Sequence, residues 1–159
     1  MSQLRVRDLM TTQVITVKPT DTVRRAVIKM AVDNVTGAPV VDNRNHVVGI
    51  ITQTDVLKLI LKYQARLDSG KGGQLLSTPL DICAEDADAQ IAGEEISDIK
   101  VEDIMHRSIL TTTPDAHIVE ALKAMMVLDV GRLPVLEQGI LVGTVSRSDV
   151  MFYIYKKKV

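Results

Sequence analysis

Residues 38–55 read APVVDNRNHVVGIITQTD, and residues 133–149 read LPVLEQGILVGTVSRSD. Both stretches contain a Pro-Val strand start, a polar turn, an apolar run that includes a glycine, and a hydroxyl residue three positions before an aspartate. Extending the alignment outward pairs residues 6–60 with residues 101–154, with one gap near Arg44. The chain is therefore a duplication of one unit of about 55 residues.

Both copies predict the same order of elements: strand, helix, strand, strand, helix. Apolar residues at i, i+3, i+4 and i+7 after Pro19 and Pro114 predict the first helix. The second helix is predicted to start behind Thr54-Asp55 and behind Ser148-Asp149, as capping residues. The predicted strands are Val14–Val17, Ala38–Val41, Val47–Ile51, Ile109–Thr111, Leu133–Leu136 and Ile140–Val145.

A unit of this size buries little apolar surface by itself, so the two copies are expected to pack together. Apolar runs such as residues 47–51 lack alternation, which indicates strands covered on both faces. The predicted fold class is α/β (α+β), with tandem repeats packed sheet to sheet about a pseudo-two-fold axis. Repeat 1 is predicted over residues 1–61 and repeat 2 over residues 101–159, with an acidic insert at 62–100 between them.

Composition excludes several classes of protein. The chain has 159 residues, 46% of them hydrophobic, and a formal net charge of −1, so a nucleic acid is not expected as a partner. No apolar stretch reaches the roughly 18–20 residues that a membrane helix needs, so a membrane is not expected either. The single cysteine, Cys83, cannot form an internal disulfide. We therefore expect a cytoplasmic protein.

The insert has an unusual charge pattern. No Lys or Arg occurs from Gly72 to Ile99, while acidic residues accumulate there. The second helix of repeat 1 is expected to continue through Arg66 and to end at the Ser69-Gly70 stretch. Beyond it, two interpretations stay open: a solvated, partly disordered loop, or a segment that docks a partner or contacts a dimer mate.

The Pro-Val strand starts and the two Gly-x-x-Thr/Ser-x-x-Asp stretches resemble the CBS domain family, named for cystathionine β-synthase. The matching stretches are Gly49–Asp55 and Gly143–Asp149. The resemblance implies paired tandem repeats, called a Bateman module. It also implies adenosyl ligands such as AMP, ADP, ATP or S-adenosylmethionine, bound in clefts between the repeats.

The residue types in these stretches suit such a ligand. A carboxylate at a helix start can accept charge-assisted hydrogen bonds from both ribose hydroxyls. A nearby hydroxyl and the helix N-terminus can hold a phosphate, and backbone before the proline can read an adenine edge. The simpler alternative is that these residues only cap the helix. The candidate ligand-binding residues are Thr16, Gly37, Ala38, Thr52 and Asp55 in repeat 1, and Thr111, Arg132, Leu133, Ser146, Arg147 and Asp149 in repeat 2.

The two copies differ in charge at this site. Repeat 2 has Arg132 and Arg147 where repeat 1 has Gly37 and Gln53. Two guanidiniums near a helix N-terminus predict a phosphate clamp, so repeat 2 is expected to bind the phosphorylated ligand more tightly. The alternative is that both arginines are ordinary surface charges.

The predicted function is that of a stand-alone regulatory sensor with an adenine nucleotide as its regulatory ligand and no required cofactor. His46, His106 and His117 lack zinc-ligand spacing, and no nucleophile–base pair or Walker loop is found, so no metal site and no enzyme activity are expected. A homodimer and an unknown effector protein are the expected partners. The alternative is a ligand-free dimerisation or scaffold module.

Overall fold

The computed structural model describes residues 3–69 and 87–158, which form a mixed α and β structure. The helices are α1 (Val6–Leu9), α2 (Val23–Val32), α3 (Gln53–Asp68), α4 (Ala87–Asp98), α5 (Val101–Ile104), α6 (Ile118–Val127) and α7 (Arg147–Lys158). The strands are β1 (Gly37–Val41), β2 (Val47–Thr52), β3 (Arg132–Glu137) and β4 (Ile140–Ser146). Strands β1 and β2 form one two-stranded sheet, and β3 and β4 form another.

The central strands and both long helices of each repeat are confirmed, with ends that differ from the prediction by a residue or two. The capping residues are corrected. Helix α3 is capped by Thr52, and Ser146 performs the same role for α7, each earlier than the predicted pairs Thr54-Asp55 and Ser148-Asp149. A Thr or Ser in extended backbone, with Asp three residues later, forms a capping box. The aspartate is then the third residue of the helix, and its carboxylate accepts a hydrogen bond from the backbone N–H of the capping residue.

The prediction of a first strand in each repeat, at Val14–Val17 and at Ile109–Thr111, is wrong. Each region makes only an isolated parallel bridge, Val17 with Val40 and Thr112 with Val135. Thr112 donates its N–H to Pro134 O at 3.0 Å and accepts from Leu136 N–H at 2.9 Å. The next bond of a parallel ladder would need an N–H at Pro134, which proline lacks, so the pairing stops.

The chain divides into two compact units that do not follow the order of the repeats. The first-repeat unit contains Ile15–Val40 and Val48–Arg107. The second-repeat unit contains the described parts of Met1–Val14, Val41–Val47 and Ser108–Val159. The segment that starts each repeat therefore belongs to the unit built around the other repeat. The sequence boundaries at residues 61 and 100 remain a prediction about the repeats.

The core of the first-repeat unit includes part of the acidic insert. Helix α4 contacts α2 and α3, and it contributes Ala92 and Ile96 to a buried apolar cluster. Ile96 is 1% exposed, while Glu94 and Glu95 are exposed. Residues 87–98 are thus a packed amphipathic helix, and the loop interpretation is wrong for them. The part of the insert at 70–86 lies outside the described residues.

The core of the second-repeat unit depends on a segment from the beginning of the chain. Val6 of α1 is fully buried in the same apolar cluster as Ile118, Met125 and Val145. Its backbone N–H donates to Ala116 O at 2.9 Å. Helix α1 is short, and its place is set by this packing because four residues have little helical stability of their own.

The turn between β1 and β2 is organised by one carboxylate. Asp42 Oδ1 accepts hydrogen bonds from the backbone N–H groups of His46 and Arg44, each at 2.9 Å. These bonds, that from His46 first, favour the ionised form and lower the pKa of Asp42 below its ordinary value. The polar turn predicted from the sequence is therefore a hydrogen-bonded Asx turn.

Candidate functional site

Each of the two motif aspartates lies at the third position of a helix and takes part in a reciprocal cap. Asp55 Oδ2 accepts from the backbone N–H of Thr52 at 2.8 Å, and Asp149 Oδ2 accepts from that of Ser146 at 2.8 Å. In return, the Asp55 N–H donates to Thr52 Oγ1 at 3.3 Å and the Asp149 N–H donates to Ser146 Oγ at 3.1 Å. The cap uses Oδ2 in both repeats and leaves Oδ1 for another donor.

The Oδ1 atoms of the two aspartates meet different residues. Asp55 Oδ1 lies 2.6 Å from His106 Nε2, with the Asp55 side chain 5% exposed and that of His106 57% exposed. Asp149 Oδ1 accepts a much longer contact, 3.4 Å, from the hydroxyl of Thr11. In each unit, the second residue at the carboxylate therefore comes from the segment that starts the other repeat in the sequence.

The backbone places these two residues in equivalent positions. His106 exchanges two hydrogen bonds with Ile50 of β2, both at 2.9 Å, and Thr11 exchanges two with Thr144 of β4, at 2.8 and 2.9 Å. Neither residue is predicted from the sequence, because both lie outside the Asp motifs, the Pro-Val strand starts and the first strand regions. The signal was present in the repeat alignment, where His106 and Thr11 each follow an aligned methionine.

The glycine of each motif is explained by this close approach. A Cβ at Gly49 would lie 2.6 Å from His106 O, and a Cβ at Gly143 would lie 2.7 Å from Thr11 O. Real Cβ atoms do not approach backbone oxygen so closely, so a side chain at either position would push the neighbouring segment away. The glycines thus position the second residue of each site.

The structure brings most of the predicted residues of each repeat together. In the first-repeat unit, Gly37 lies against Thr52, because a Cβ at Gly37 would be 3.3 Å from Thr52 Cγ2. In the second-repeat unit, Arg132 pairs with Ser146 and Leu133 with Val145 in the antiparallel sheet. Strand β3 thus starts beside the end of β4, where α7 begins. Ala38 and Leu133 are almost fully buried, at 0% and 2% exposed, so the expected role of their backbone in reading an adenine edge stays a prediction.

The two threonines near the first strand regions are less closely tied to the aspartates. Thr16 and Thr111 are half-buried. The backbone oxygen of Thr16 accepts from Lys29 Nζ at 3.1 Å. Within the described residues, neither threonine hydrogen bonds to Asp55 or Asp149, so their place in a ligand site stays a prediction.

The two arginines of the predicted clamp are in different situations. Arg147 Nη2 donates to Met125 O at 3.1 Å and to Asp129 Oδ1 at 2.9 Å, so its guanidinium binds the C-terminal end of α6. Its Nε is buried without a hydrogen bond to the described residues. The half-buried Arg132 makes no side-chain hydrogen bond or ion pair within residues 3–69 and 87–158. Arg132 is therefore the arginine that a ligand can engage without breaking existing contacts.

Residues 6–62 and 101–156 each match the family model described as CBS domain. The chain belongs to the CBS domain family. The match covers both copies of the repeat, confirms the resemblance drawn from the motif residues, and does not indicate a catalytic family.

The chain is similar to CBS proteins along most of its length. It is 29% identical over 155 residues to the uncharacterized protein MJ1426 of Methanocaldococcus jannaschii, covering 92% of this chain and 88% of that protein. The structure of CBSX2 in complex with AMP has a TM-score of 0.72 at 23% identity, with 98% of each chain covered. The CBS domain pair of MJ0100, in complex with 5′-methylthioadenosine and S-adenosyl-L-methionine, has a TM-score of 0.71 at 19% identity, covering 98% of this chain and 99% of that one. These structures share the fold with this chain.

Among the described residues, neither a helix able to span a membrane nor a cluster of metal-ligating side chains is found. No described helix is both long enough and apolar enough to cross a bilayer. The described part of the chain also has no group of three or more His, Cys, Asp or Glu side chains that could hold a metal ion.

Proposed function

We propose that this CBS protein is a regulatory module that binds an adenosyl ligand, AMP, ADP, ATP or an S-adenosylmethionine-like molecule, without catalysing a reaction. The observation that carries the proposal is the Oδ1 atom of Asp149, which the helix cap does not use and which has only a 3.4 Å contact to Thr11. The ligands bound by CBSX2 and by the MJ0100 domain pair support this choice of ligand class.

In the proposed complex of repeat 2, the ribose hydroxyls donate to Asp149, because hydrogen bonds to an ionised acceptor are about twice as strong as neutral ones. The Ser146 hydroxyl, the N-terminus of α7 and Arg132 hold the phosphate. The buried backbone at Leu133 reads the adenine edge. Repeat 1 offers the same groups through Thr52, Asp55 and the backbone of Ala38, without an arginine at position 37.

The module is further proposed to act as a homodimer that signals to an effector protein in the cytoplasm, where its single cysteine stays reduced. Helices α3 and α7 leave large apolar side chains exposed, a feature typical of protein contact surfaces. These side chains are Leu57, Leu61, Met151, Phe152, Ile154 and Tyr155.

A thermal-shift series tests ligand binding against the alternative of a ligand-free scaffold. AMP at 100 times its dissociation constant is expected to stabilise the protein by about 2.7 kcal/mol, which raises the melting temperature by roughly 5–10 °C at this chain length. CMP serves as the control because it has the ribose and phosphate without adenine. If AMP, ADP, ATP, NAD and S-adenosylmethionine all leave the melting temperature unchanged, the scaffold function is favoured.

Replacing Arg132 with Ala is expected to weaken AMP binding roughly tenfold and to leave adenosine binding unchanged, since one charge-assisted bond to phosphate is lost. Isothermal titration of both ligands measures the difference. Arg44→Ala, in the exposed turn, is the control for loss of positive charge. An equal loss for AMP and adenosine would show that Arg132 acts on the fold and not on the phosphate.

A further inference from the structure

The two carboxylates proposed to bind ribose are not equally available. In the first-repeat unit, the His106 imidazole lies 2.6 Å from Asp55 Oδ1, at the short end of hydrogen-bond distances. In the second-repeat unit, the Thr11 hydroxyl lies 3.4 Å from Asp149 Oδ1, at the long end. The same position along the repeat therefore places a close imidazole contact on the carboxylate in one unit and a distant hydroxyl contact in the other.

The chemistry of the two donors increases this difference. The Asp55 side chain is 5% exposed, and the attraction between an imidazole and a buried carboxylate gains strength from the surrounding low dielectric. A threonine hydroxyl rotates freely and can turn to accept or donate beside a ligand. Because the cap already uses Oδ2 of Asp55, the oxygen that His106 occupies is the one left for a ribose.

We propose that His106 is an internal competitor for the ribose at Asp55, so that repeat 1 binds an adenosyl ligand only after the imidazole has moved aside. This inference rests on the proposed function and adds its regulation. The His106 side chain is more than half exposed, and its backbone is held to Ile50 by two hydrogen bonds, so the ring can rotate away while the segment stays in place. Position 106 sets the affinity of the first site, and position 11 sets that of the second.

Exchanging the two residues tests the proposal, with each site measured alone. In an Asp149→Asn background, His106→Thr is expected to tighten AMP binding at the first site at least about tenfold, because the competing imidazole contact with Asp55 is removed. In an Asp55→Asn background, Thr11→His is expected to weaken AMP binding at the second site by a similar factor. Isothermal titration gives affinity and stoichiometry. His46→Thr, which removes an imidazole that contacts Asp42, is the matched control.

The outcomes separate this inference from the proposed function. If the Asp55→Asn protein binds AMP at its second site, the proposed function is supported. If His106→Thr then leaves the AMP affinity of the first site unchanged or lowers it, the competition by His106 is refuted while the function stands. No AMP binding in the unsubstituted protein or any variant overturns both. Both exchanged positions are exposed, and a melting curve for each variant verifies that it is folded. His106→Gln provides a second variant, expected to bind between the His and Thr forms.

Discussion

Replacement of Asp149 by Asn is expected to weaken AMP binding at repeat 2 by about 30-fold or more, while the protein keeps its fold. Asparagine retains an oxygen that can accept from the Ser146 N–H, so the cap of α7 survives. The lost negative charge removes the charge-assisted bonds to the ribose, each contributing about 1.5–3 kcal/mol, and every 1.4 kcal/mol is a factor of ten in affinity.

Isothermal titration with AMP measures this loss, and circular dichroism melting verifies the fold. Glu137→Gln is the matched control, because Glu137 is also a carboxylate of the second-repeat unit but is exposed at the far end of β3 from Arg132. An Asp149→Asn protein that binds AMP as tightly as the original would show that Asp149 is only a helix cap, the alternative left open by the sequence.

Ile96→Ala is expected to destabilise the protein by about 2–5 kcal/mol, because it leaves a cavity in the core of the first-repeat unit. The residue is 1% exposed and lies on α4, which packs against α2 and α3. At this chain length the melting temperature should fall by roughly 4–20 °C. Thermal and urea unfolding give the two quantities.

Ile91→Ala provides the matched control on the same helix. Ile91 is 54% exposed, so its truncation is expected to change stability by about 0.5 kcal/mol or less. If both variants lose the same small amount of stability, α4 does not belong to the folded core and the insert acts as a peripheral segment.

Most of the fold followed from local patterns in the sequence. The central strands, α2 and α6 follow from apolar periodicity and turn residues, which are properties of neighbouring positions. Helix α4 was missed because its acidic residues dominate the composition, although Ala92, Ile96 and Ile99 repeat at helical spacing. The first strands were predicted from apolar runs, but a parallel ladder at these positions would need an N–H from Pro39 and Pro134, and proline has none.

The candidate site was predicted in part. The Asp and Ser or Thr residues of each motif lie together because a capping box joins them within four residues. His106 could not be assigned to Asp55 from the motif, since the two are brought together by backbone pairing across 51 positions of sequence. Arg147 was predicted near the site from its position in the motif, but its guanidinium donates to Met125 O and to Asp129 Oδ1 at the C-terminal end of α6.

The interleaved units have a consequence for the order in which the protein matures on the ribosome. The first-repeat unit has all of its pieces once Arg107 has emerged. The second-repeat unit cannot fold completely until α7 has been synthesised. Val6 stays exposed until then, because the apolar residues that bury it come later in the chain. Domains of larger proteins generally fold as units during synthesis, beginning from the N-terminus. Here a segment that is synthesised before the first-repeat unit is buried only after that unit is complete.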